Sequence, residues 1–122
     1  MQPSICVWIS RAPYGSALAA EGVRHLNGAL ANGFSATAVL VDDGVWLARR
    51  GQEVRDSGFV ALAEALRQSL HPAAGPAPRV LVHGPSLAGR GLTPDDLVEG
   101  VEVVDDRRLA AAVAEARYLL RF

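Results

Sequence analysis

The stretch RVLVHGPSLAGRGL, Arg79 to Leu92, decides how this chain is read. Val80-Leu81-Val82 is a short apolar run between Arg79 and His83, the pattern of a strand buried on both faces of a sheet. It stops at His83-Gly84 and opens into small residues, with Pro85 to Ala88 predicted as one turn of helix. In α/β proteins the carboxyl ends of strands are where ligands and chemistry are placed. The group standing at this strand end is an imidazole, and no cysteine lies nearby.

Working outward, the same strand signal recurs. Ile5 to Ser10 (ICVWIS) reads as the first strand and Ser35 to Val41 (SATAVLV) as the second. Val101 to Val104 is the fourth, and Tyr118 to Phe122 (YLLRF) the last. Between the first two, Ser16 is placed to cap a helix running to about Ala31. Ala19, Val23, Leu26 and Leu30 make its inner stripe, and Asn32-Gly33 suits a C-cap. Asp42-Asp43-Gly44 ends the second strand, and Val45 to Ala48 is predicted as one helical turn. Gly58 to Leu70 is amphipathic, with Phe59, Leu62, Leu66 and Leu70 in one stripe. The Pro-rich loop of residues 71–78 cannot remain helical. Thr93-Pro94-Asp95-Asp96 is a helix start with Thr as N-cap and Pro at N1. Asp105 or Asp106 caps a final helix to about Ala116, with Leu109, Ala112 and Val113 inward.

Strands alternating with helices predict a parallel sheet covered on both faces. The expectation is a three-layer α/β/α sandwich with a five-stranded parallel sheet in the flavodoxin-like order 2-1-3-4-5, one domain over residues 1–122. That order would put the topological break between strands 1 and 3. The loops Arg11–Ser16 and His83–Arg90 would then face each other across one crevice. Tyr14, Ser16, His83, Ser86 and Arg90 are accordingly the candidate residues for holding a ligand or partner.

Composition narrows the function. Hydrophobic residues make up 50% and charged residues 20%, and the net charge is −1, so nothing in the overall charge favours nucleic acid or an anionic membrane. All 12 basic residues are Arg, which excludes a Schiff-base lysine and a P-loop lysine. One cysteine, Cys6, excludes an internal disulfide and a cysteine-built zinc site. No apolar run reaches the ~18–20 residues a membrane helix needs. No secretory signal is evident, so the expected location is cytoplasmic.

There is no GxGxxG after the first strand and no GxSxG elbow, although Gly84-Pro85-Ser86-Leu87-Ala88-Gly89 is loosely similar to the latter. His25, His71 and His83 show no metal-ligand spacing. Asp42-Asp43 and Asp105-Asp106 read as turn and cap chemistry, with Mg²⁺ binding as the functional alternative. No cofactor and no metal are expected. His83 reads either as a base or polar clamp, or as a strand-end histidine bonded to a backbone carbonyl. Cys6, inside the first strand, reads as a buried small hydrophobe. Arg90, between two glycines, is expected to be exposed.

The chain resembles the DsrE/DsrF-like sulfur-relay family, most of all its TusC/DsrF subunits. Ala12-Pro13-Tyr14-Gly15-Ser16, Glu21-Gly22, Asp42-Asp43-Gly44-Val45, Gly51-Gln52, Ser86 to Leu92 and the final Leu120-Arg121-Phe122 carry the likeness in order. The resemblance implies a flavodoxin-like fold in trimers and hexamers. It implies partners that are either copies of the same chain or paralogous DsrE/TusD-like and DsrH/TusB-like subunits. It also implies persulfide transfer, serving tRNA 2-thiouridylation or sulfur oxidation.

Carrier members of the family place a reactive cysteine just after the third strand, eight residues before the glycine of an Arg-Gly pair. Counting back from Gly91 gives His83. Imidazole cannot form a stable persulfide, so the resemblance implies a non-carrier, accessory subunit with no catalytic residue of its own. The alternative is a stand-alone homo-oligomer that binds a small anion or sulfur compound in the His83 crevice.

Overall fold

A computed structural model describes residues 3–54, 61–73 and 75–122. Five parallel strands form one sheet: β1 (Ser4–Ile9), β2 (Ser35–Leu40), β3 (Arg79–His83), β4 (Glu102–Val104) and β5 (Tyr118–Arg121). The helices are α1 (Leu18–Ala31), α2 (Leu62–Ser69), α3 (Gly84–Ala88) and α4 (Asp106–Glu115), with 3-10 segments at Asp42–Ala48 and Pro94–Asp96. The α/β class, the five parallel strands and the covering of both faces agree with the sequence reading. The part of the predicted 58–70 helix that includes Phe59 lies outside the described residues.

The strand order does not agree. It is β4-β3-β2-β1-β5, not 2-1-3-4-5. β2 therefore sits between β1 and β3, and the topological break falls between β1 and β5. The placement of the helices follows from the handedness of the crossovers. Steps from β1 to β2, β3 and β4 all run the same way, so right-handed connections put their helices on one face. The return from β4 to the far side of β1 runs backwards and puts α4 on the other.

The two cores reflect this division. Val7, Ile9, Ala38, Leu40, Val80 and Val82 pack under α1, α2 and the 42–48 segment, through Val23, Leu26, Leu66 and Leu47. On the opposite face Cys6, Val39, Leu81 and Val104 pack against Leu109 and Ala112 of α4. Strand residues alternate between the two cores, as the period-2 pleat requires.

Local chemistry explains the boundaries. α1 ends in a Schellman pair, the Phe34 N–H donating to Ala29 O and the Gly33 N–H to Leu30 O, with Gly33 at φ 84°. Thr93 and Asp96 form a capping box, but Leu97 is already extended, so the predicted helix after Thr93 is one 3-10 turn. Asp105 caps α4 by accepting from the Arg108 N–H at 2.8 Å.

Candidate functional site

The site is built where β2 and β3 end. After Leu40 the chain turns sharply, and Asp42 takes φ 50°, a left-handed conformation that Asp tolerates better than most residues. Gly44 then runs against the end of β1: a Cβ there would stand 2.0 Å from the Ile9 carbonyl oxygen. This close approach lays the 42–48 segment over the sheet and aims the Asp42 N–H at the neighbouring strand end.

What that N–H meets is Ser86. Ser86 lies on α3, which begins immediately after His83, and it is buried, with 7% of its surface exposed. Its Oγ accepts from the Asp42 N–H at 2.9 Å and lies 2.6 Å from His83 Nδ1. The other ring nitrogen, Nε2, lies 2.5 Å from Asp106 Oδ1 in the first turn of α4. The donors form one consistent chain. Asp42 N–H donates to Ser86, the Ser86 hydroxyl donates to Nδ1, and Nε2–H donates to the Asp106 carboxylate. For a neutral ring this arrangement corresponds to the Nε2–H tautomer. The His83 side chain is 17% exposed and that of Asp106 85% exposed, so the relay runs from solvent inward.

Arg90 closes the group on its other side. Its guanidinium donates to Asp43 Oδ1 at 3.0 Å and to the Ser86 carbonyl at 3.1 Å. It is therefore paired and half-buried, where an exposed group was expected between two glycines.

The structure thus brings together His83, Ser86 and Arg90, and leaves Tyr14 and Ser16 with other partners. The Tyr14 hydroxyl donates to Gln52 Oε1, and Gln52 in turn donates to the Trp46 and Arg49 carbonyls. Ser16 Oγ accepts from the Leu18 N–H at 3.2 Å at the start of α1. The predicted crevice between these loops rested on β3 lying next to β1, and β2 intervenes.

Asp106 is the residue that sequence reasoning read as cap chemistry, with Mg²⁺ binding as the alternative, and did not join to His83. Its signal was the doubled acid at the start of α4: Asp105 caps the helix and frees Asp106 for His83.

The relay can hold a proton position and a ring orientation. The one thiol is elsewhere. Cys6 is fully buried within the α4-side core, and burial pushes its pKa up to about 11. A cavity of about 490 Å³ lies beside β4 between Arg50 and Val103, and neither it nor the adjoining hollow of about 260 Å³ is lined by His83, Ser86 or Asp106.

Fold and strand-end site together define a parallel-sheet α/β protein with a hydrogen-bonded histidine where the third strand ends. The chain belongs to the DsrE/DsrF-like family, whose sequence model matches residues 4–122. It is 33% identical over 118 residues to an uncharacterized protein of Methanopyrus kandleri, covering 97% of this chain and 93% of that one. A second uncharacterized protein, from Methanocaldococcus jannaschii, is 31% identical over 116 residues, covering 95% and 96%. Among solved structures, the ychN protein of E. coli superposes over 100% of both chains with a TM-score of 0.80 at 24% identity. A protein of unknown function from Methanobacterium thermoautotrophicum gives 0.66 at 21% identity, over 98% of this chain and 99% of that one.

Proposed function

We propose that this chain is a single-domain, non-carrier subunit of a sulfur-relay assembly of the TusBCD or DsrEFH type, shaping the site of a thiol-bearing partner. The observation that carries the reading is the occupant of the third strand's end. There the family's carriers need an accessible thiolate, and here both nitrogens of His83 are engaged by Ser86 and Asp106. Cys6 cannot substitute, because a buried thiol with a raised pKa supplies neither access nor thiolate. Membership of the DsrE/DsrF-like family supports the assignment to sulfur relay.

Binding of a small anion at His83 is the weaker reading. Asp106 touches the ring, and Asp43 takes up the Arg90 guanidinium beside Ser86. An anion entering there would meet carboxylates.

Two measurements test the proposal. Affinity capture with the tagged chain is expected to recover a small paralogue carrying a cysteine at the matching strand end. Incubation with a persulfide donor, followed by intact-mass spectrometry, is expected to add no sulfur to the native chain and one sulfur to the His83→Cys variant. Sulfur on Cys6 of the folded native chain, or capture of nothing but copies of the chain itself, would overturn it.

A further inference from the structure

Three segments distant in sequence meet around a cleft that the strand-end relay does not touch. Residues 48–50 and 96–98 run alongside each other. The Val98 N–H donates to the Ala48 carbonyl at 2.8 Å, the Arg50 N–H donates to the Asp96 carbonyl at 2.9 Å, and Arg49 and Leu97 form an antiparallel bridge between them. Gly100, at φ 95°, then passes close to the end of α2, where a Cβ would stand 3.4 Å from Leu70 Cδ1. These backbone contacts hold open two adjoining hollows, of about 490 Å³ and about 260 Å³. Together they have the size of a small-molecule site.

The chemistry changes along the cleft. Leu97 and Val98 line both hollows and are themselves buried, so they form a shared apolar floor, which Val101 and Val103 extend in the wider one. The smaller hollow is basic, with Arg50, Arg67 and His71 against Glu99. The wider one is acidic, with Asp95 and Glu99 against Arg50. Among the described residues neither Arg50 nor His71 is ion-paired. Arg67 is bridged to Glu64, but both side chains are about half exposed, and such a pair opens at little cost.

We propose that this cleft binds a small amphipathic monocarboxylate, its head against Arg50, Arg67 and His71 and its apolar body over Leu97 and Val98 toward Val101. A guanidinium fork matches a carboxylate with two parallel hydrogen bonds, and the apolar floor removes the body from water. Asp95 and Glu99 supply selectivity. A second negative charge carried into the wider hollow would meet carboxylates, so dicarboxylates and nucleotides are disfavoured. The inference is independent of the sulfur-relay reading, which concerns the end of β3.

Titrating the ¹⁵N-labelled chain with phenylacetate tests it, with phenylacetamide as the uncharged isostere and para-phenylenediacetate as the dianion. Saturable amide shifts are expected at residues 97–101 and at His71, with a Kd on the order of 1 mM. The amide and the dianion should each bind about tenfold more weakly, and Arg50→Gln should weaken phenylacetate about tenfold, the worth of one charge-assisted contact. Glu99→Gln is expected to narrow the gap between dianion and monoanion, a gain that a merely loosened cleft would not give. Val103→Trp, which fills the wider hollow from an exposed strand position, should abolish the shifts with circular dichroism unchanged. Shifts that never saturate, equal binding of phenylacetamide, or affinities that ignore both Arg50→Gln and Glu99→Gln overturn the proposal.

Discussion

His83 Nε2 and Asp106 Oδ1 lie 2.5 Å apart, joining the end of β3 to the first turn of α4. The two residues are 23 positions apart in sequence, and β4 lies between them along the chain. The contact fixes the ring's orientation and its tautomer through a carboxylate that is itself open to water.

Asp106→Asn tests that relationship. The pair is solvent-exposed on the carboxylate side, so the loss in stability is expected to be modest, about 0.5–1 kcal/mol by urea denaturation. The sharper readout is ¹⁵N NMR of the imidazole. The native protein is expected to show Nε2 protonated and Nδ1 as acceptor, and Asp106→Asn should weaken that preference. A native Nδ1–H tautomer would contradict the donor chain through Ser86.

Ser86→Ala removes a buried acceptor and leaves the Asp42 N–H without its partner, next to a left-handed backbone. The bond is only part-buried, and losing one partner of such a bond costs about 0.5–1.5 kcal/mol. Equilibrium unfolding should show a loss in that range. Faster amide exchange at Asp42 should accompany it, and an unchanged midpoint would place the bond at the margin.

The contrast between two glycines is a test of the fold. At Gly44 a Cβ would collide with the Ile9 carbonyl at 2.0 Å, and backbone cannot yield cheaply. At Gly22 the nearest atoms are Ile9 Cδ1 and Cγ1, both at 2.7 Å, on a buried side chain that would have to shift. Gly44→Ala is expected to cost about 3 kcal/mol or more. Gly22→Ala should cost much less, because its strain is offset by the roughly 1 kcal/mol that Ala gains over Gly within a helix. Thermal denaturation of the two variants side by side decides this.

Cys6 links burial to pH. Its pKa rises from 9.0 to about 11 in the folded chain. Below 9.0 the thiol is neutral in both states, and its contribution is fully present. As pH climbs through 9 toward 11, only the unfolded chain ionises, and on the order of 2–3 kcal/mol is lost. Denaturation at a series of pH values should show that loss, and Cys6→Ala should flatten it. Alkylation of the native thiol at pH 8 should be orders of magnitude slower than in denaturant.

Much of the molecule is legible in the chain as written. Apolar strand runs, the 19-23-26-30 stripe of α1, the Asn32-Gly33 cap and the Thr93-Pro94 start are local patterns, and they form as the periods and caps dictate. His83 at a strand end is equally local. The doubled acid Asp105-Asp106 was legible only in part, because capping requires one carboxylate and leaves the task of the other undetermined.

What local pattern does not contain is which strand lies beside which. Both 2-1-3-4-5 and the observed order use parallel, apolar strands joined by helices, and no residue in β1 or β2 encodes its neighbour by itself. Pairing is decided when whole faces are buried at once, among the described residues under α1, α2 and the 42–48 segment on one side and under α4 on the other. That choice moved the break to β1 and β5, gave Tyr14 to Gln52, and brought Asp42, Ser86 and Asp106 around one imidazole.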